Sequence, residues 1–183
     1  MITKMKQMTG IDKSIASLGL IGYVFWLGGS IVRMITAFDL FVPGTLELKK
    51  YSFELQTHIV RLYEAASPYT NISYCVMILA VIYMLIKFNK NVKINGWMFM
   101  CIVMLLVTVI PNTYLMYMDY KLAVDMNWYR AEFDSTSVAK YFMIRFTKLS
   151  ILEPLILLAG LTSAVIFVFR PLHNVVPAAD NIE

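Results

Sequence analysis

SLGLIGYVFWLGGSIVRMITAF, residues 17–38, carries a single charge, Arg33, in an otherwise apolar run. At about 1.5 Å per residue a helix of this length spans roughly 33 Å, enough to cross a hydrocarbon core about 30 Å thick. Stretches 69–86, 96–118 and 149–169 have the same character. A backbone in lipid must close its hydrogen bonds within its own helices. The expected fold is therefore an all-α integral membrane protein with four transmembrane helices, about 17–38, 69–86, 96–118 and 149–169. The 183 residues form a single four-span domain, with outside amphipathic segments at 39–68 and 119–148 and a loose cytoplasmic tail at 171–183.

Composition agrees. Hydrophobic residues make up 59% and charged residues 15%, far from the averages of soluble domains. The net charge of +4 is modest, and no run of five basic residues occurs, which argues against a nucleic-acid partner. The leading MITKMKQMTGIDKS resembles a signal-peptide n-region. The apolar run after it is too long for an h-region and no small-residue cleavage pattern follows, so it reads as a retained first span.

Basic residues set the orientation. Lys4, Lys6 and Lys13 precede the first span, Lys87, Lys90 and Lys93 crowd the short turn after the second, and Arg170 closes the fourth. Residues 39–68 and 119–148 balance their cations with acids. Both termini and the short turn are expected in the cytoplasm, with the plasma (inner) membrane as the location.

The outside segments have helical character. Over 45–66, Leu48, Leu55, Ile59 and Leu62 form an apolar stripe, with Glu47, Glu54, Arg61 and Glu64 off it. A break is expected at Ser67-Pro68, since proline suits a first helical turn. In the second segment Asp134-Ser135-Thr136-Ser137 reads as a turn, with Ser137 as the N-cap of a helix entering the fourth span.

Ionisable residues inside spans are the functional suspects, because burial of an unpaired charge costs several kcal/mol. Arg33 and Glu153 qualify, at similar depth near the outer ends of spans one and four. At 100° per residue, Gly22, Gly29 and Arg33 fall within about 40° of one another, as do Glu153, Gly160 and Ala164. Small-residue stripes let helices approach closely. The expectation is that spans one and four pack antiparallel along these stripes and Arg33 meets Glu153. The competing reading has Arg33 snorkelling to headgroups and Glu153 capping its helix near water. Pro111 and Asn112 in span three mark a helix kink with a polar side chain beside it.

Other signals are weaker. Met98, Cys101 and Met104 recur at helical spacing, but no second soft-ligand cluster joins them, so no copper site is assigned. Both histidines, His58 and His173, lie outside the spans, so no bis-histidine haem is expected within them. Cys75 and Cys101 read as buried, unreactive thiols near opposite faces. Trp26, Trp97 and Trp128, with tyrosines near span ends, read as interfacial belts. The sequon Asn71-Ile72-Ser73 sits too near the membrane to accept a glycan.

No catalytic constellation, cofactor motif or metal-ligand spacing appears. The leading expectation is a non-catalytic accessory or assembly subunit of a larger membrane complex, partnered by the bilayer and by other subunits or copies of itself. The alternative is a small oligomeric transporter or channel using Arg33 and Glu153. A third reading, an outer-surface enzyme acting on lipid or quinone, draws on His58, Arg61, Glu64 or Asp39, without a recognisable spacing.

Overall fold

The computed structural model describes residues 8–43, 45, 47–89, 92, 95–126, 144–146, 149 and 151–171. Among them 84% are helical and no strand occurs. Six helices are described: α1 Gly10–Phe38, α2 Phe53–Ala65, α3 Ser67–Lys87, α4 Gly96–Val107, α5 Val109–Met126 and α6 Leu152–Phe169. Four continuous or nearly continuous runs are long and apolar enough to cross a membrane: Gly10–Phe38, Phe53–Lys87, Gly96–Val124 and Leu152–Phe169.

The boundaries differ from the sequence reading where local chemistry extends a helix. α1 begins at Gly10, because Thr9 and Asp12 form a reciprocal capping box. Asp12 is buried and also accepts from Lys87 and Tyr83 at the far end of α3. The third run continues to Met126 rather than stopping at 118, which brings Asp119 into a helix. It breaks at Thr108, three residues before Pro111. Pro111 has no N–H to offer the Val107 carbonyl, and Thr108 Oγ1 turns back to the Leu105 carbonyl at 2.6 Å.

The described residues of 39–68 are only partly helical. An antiparallel bridge joins Phe41 to Leu48, and α2 starts later, at Phe53, capped by Ser52. α2 ends at Ala65 and α3 restarts at once with proline in its first turn, as the Ser67-Pro68 dipeptide predicts. The buried face of α2 is Ile59, Val60, Tyr63 and Glu64, whereas Leu48, Leu55 and Leu62 are exposed. The expected stripe is therefore corrected by about one residue of helix phase, and Glu64 turns inward. The turn at 134–137, the Ser137 cap and the tail from 172 lie outside the described residues.

The glycines of α1 face a different neighbour from the one expected. A Cβ at Gly19 would stand 2.6 Å from Ala80, and one at Gly22 would stand 2.8 Å from the Ser73 carbonyl. One at Gly29 would stand 2.3 Å from Thr70. The glycine stripe thus seats α3, antiparallel, and not α6. α4 pairs antiparallel with α6, with Cys101 against Ser163 and Trp97 against Phe167.

The two pairs meet through aromatics. Trp26 is buried in mid-helix rather than interfacial, and its ring occupies the space a Cβ at Gly160 would need. Tyr23 donates to the Gly160 carbonyl at 2.7 Å. Trp26, Tyr74, Met77, Leu105, Leu115 and Ile156 form the central apolar cluster. A second cluster, containing Ala37, Phe41, Tyr63, Leu122 and Phe146, closes the Arg33 end. Trp97 does lie at a helix end, beside Arg170, and Trp128 lies outside the described residues. Both cysteines are free; Cys101 is buried as expected, but Cys75 is exposed.

Candidate functional site

Between these two clusters lies a group of buried charges. Asp119, 2% exposed, projects from α5 and is its centre. Its Oδ1 accepts from Arg33 Nη2 at 2.8 Å and from Arg145 Nη1, and its Oδ2 accepts from Asn71 Nδ2 at 3.4 Å. Arg33, 3% exposed, also donates from Nη1 to Thr70 Oγ1 at 3.3 Å. Arg145 Nη1 donates to the Leu115 carbonyl at 3.1 Å, and its Nε lies 3.7 Å from Glu153 Oε2.

The residues reach this point by helical phase. Asn112 and Asp119 are seven apart and share one face of α5, continuing inward along Leu115. Thr70 and Asn71 sit at the start of α3, and Thr70 is itself held by the Ser67 carbonyl at 2.9 Å. Glu153 stands in the first turn of α6, where a carboxylate suits the positive end of the helix dipole. Tyr63 forms the floor from α2: Arg33 Cζ lies 4.3 Å and Arg145 Cζ 5.4 Å from its ring centre. A guanidinium over an aromatic face is favourable, more so when desolvated.

Glu64 adds a third carboxylate at the edge of the group. It is 3% exposed, and its Oε2 has no hydrogen-bond partner among the described residues. The Nε atoms of both arginines are likewise without a hydrogen bond. A void of about 10 Å³ lies among Trp26, Ser30, Arg33, Asn112, Asp119 and Glu153. That is the space of about one water molecule, and its walls offer the polar partners such a water needs.

Of the residues singled out from sequence, Arg33, Glu153 and Asn112 line this void together. Arg33 and Glu153 are not ion-paired to each other directly. Their link runs from Arg33 through Asp119 and Arg145 to Glu153. Pro111 acts at a distance, through the break at Thr108. Glu64 faces the group, while His58 and Arg61 point away and are exposed on α2. Asp39 is also exposed, paired with Lys49 at 2.9 Å. The external residues therefore do not converge on one site.

Sequence reasoning missed Asp119 and Arg145. Both sit just beyond the apolar runs, in segments where charge is ordinary. The seven-residue step from Asn112 to Asp119 was the available signal.

The arrangement can hold charge, a proton or one water, and it ties α1, α3 and Arg145 to one carboxylate on α5. Among the described residues its void has room for about one water. No protein-family model, curated protein or solved structure matches this chain.

Proposed function

We propose that the chain is an integral, multi-pass membrane protein serving as a non-catalytic accessory or assembly subunit of a larger membrane complex. In this reading both termini and the short 88–95 connection lie in the cytoplasm, where Lys4, Lys6, Lys13, Lys87, Lys90, Lys93 and Arg170 place them by the positive-inside rule. The charge group then lies near the outer surface.

The observation that carries the reading is the closure of the buried charges on one another. Two guanidiniums share one carboxylate over Tyr63, and the remaining void takes about one water. A pocket for a small organic ligand takes a few hundred Å³, far more than the void inside this charge group. This group instead acts as a polar tie that fixes helix register. Purification in a gentle detergent followed by mass spectrometry tests the proposal. Stoichiometric partner chains are expected, and a clean homo-oligomer overturns it.

The transporter or channel reading keeps one observation in its favour. Intramembrane ionisable residues commonly mark ion or proton pathways, and here they gather beside Asn112 and the break at Thr108. Reconstituted flux abolished by Glu153→Gln, with the protein still folded, supports that reading; unchanged flux removes it.

A further inference from the structure

At the Arg33 end of α1 a groove of about 660 Å³ opens on the outside of the molecule. Ile35, Phe38, Phe41, Val42 and Pro43 supply its apolar wall, and Asp39 and Lys49 stand at its rim. Its volume falls within the roughly 300–1,000 Å³ of small-ligand sites. Ile35 and Phe38 are also exposed along α1 itself, so the groove continues the apolar outer face of a helix long enough to cross a membrane.

We propose that this groove binds a membrane phospholipid whose headgroup carries a primary ammonium, of the phosphatidylethanolamine type. The inference rests on the membrane reading above. An acyl chain passes Val42 and follows Phe38 and Ile35 along the face of α1. The headgroup then meets two opposite charges side by side: the ammonium faces the Asp39 carboxylate and the phosphate faces the Lys49 ammonium. Charge complementarity selects this occupant. A rim with one cation and one anion matches a zwitterion, and a primary ammonium offers Asp39 the hydrogen bonds that a quaternary one lacks.

Asp39 and Lys49 meet at 2.9 Å with side chains 57% and 27% exposed, and such exposed pairs hold weakly. The Lys49 ammonium is also within 3.2 Å of the Tyr51 hydroxyl, which positions it when Asp39 turns to a ligand. Asp39, and then the Tyr51 hydroxyl, hold Lys49 above the ordinary lysine range.

Native mass spectrometry of the full chain in detergent tests this, with phosphatidylethanolamine, phosphatidylcholine and phosphatidylglycerol added in turn. The wild type is expected to retain phosphatidylethanolamine about three- to five-fold better than the other two, the scale of an exposed charge contact. Asp39→Asn should erase that preference, and Lys49→Gln should lower retention of all three lipids. Val42→Trp, which fills the groove, should lower all three without touching the charges. Equal retention of the three lipids by the wild type overturns the proposal, as does a preference that survives Asp39→Asn. If Val42→Trp does not fold, the exposed-pair variants carry the test. Alkaline carbonate extraction separates the two levels: a chain that washes off membranes sinks the membrane reading, whereas a chain that stays without lipid preference sinks only the groove.

Discussion

Arg33 and Asp119 form an ion pair at 2.8 Å between side chains that are 4% and 2% exposed, across 86 positions of sequence. Arg145 donates to the same oxygen, and Asn71 to the other. Removing Asp119 leaves two guanidiniums buried without their shared anion. Breaking a buried pair by deleting one partner costs about 3–5 kcal/mol. Asp119→Ala should lose stability on that scale in detergent unfolding, more than Arg33→Ala or Glu153→Ala.

Coupling energies should rank the contacts. A double-mutant cycle between Arg33→Ala and Asp119→Ala is expected to give an interaction of about 0.5–3 kcal/mol, and the Arg33 and Glu153 cycle a smaller one. Additive behaviour of Arg33 and Asp119 would remove the carboxylate from the centre of the site.

Two glycines of α1 should respond oppositely to alanine. At Gly22 the new methyl meets the backbone carbonyl of Ser73 at 2.8 Å, which cannot move without α3. The overpacking cost of about 1–3 kcal/mol exceeds the helix-propensity gain. At Gly28 nothing lies within 4 Å, and the gain of up to about 1 kcal/mol stands alone. Thermal denaturation of the two variants measures the contrast.

Tyr74 and Thr108 hydroxyls meet at 2.9 Å at the break between α4 and α5. Thr108 keeps its bond to the Leu105 carbonyl when Tyr74 becomes phenylalanine, so no polar group is orphaned there. Tyr74→Phe should therefore cost only about 0.5–1.5 kcal/mol by chemical denaturation. A larger loss would mean that the Tyr74 hydroxyl has a further role at the break.

Orientation has its own check. In a Cys75→Ala/Cys101→Ala background, Lys49→Cys should react with an impermeant maleimide in sealed cells. Lys13→Cys should react only after permeabilisation. The reverse pattern inverts the topology.

The apolar runs made the helices legible, because about 20 residues without charge have few soluble explanations. Arg33 and Glu153 stood out for the same reason, as charges inside those runs. Asp119 did not: it lies one residue past a boundary drawn where hydropathy fell, and only the continued helix turns it inward. The glycine stripe of α1 was visible, but a stripe names a close approach and not its partner. Its match to α3 depends on Ala80, Ser73 and Thr70, whose small size carries no address in one dimension. The α2 face was read correctly at Ile59 but not at Leu55 and Leu62, because Tyr63 is the side chain that packs against the buried arginines.

The charge group also sets an order of events for a chain made from its N-terminus. Arg33 is synthesised 86 residues before its anion, a wait of roughly 4–17 s at about 5–20 residues per second. Arg145 and Glu153 come later still. Until then α1 and the start of α3 hold the Arg33 guanidinium beside Thr70 without the Asp119 carboxylate. Asp119 and Glu153 therefore join the group only once α5 and α6 have been made.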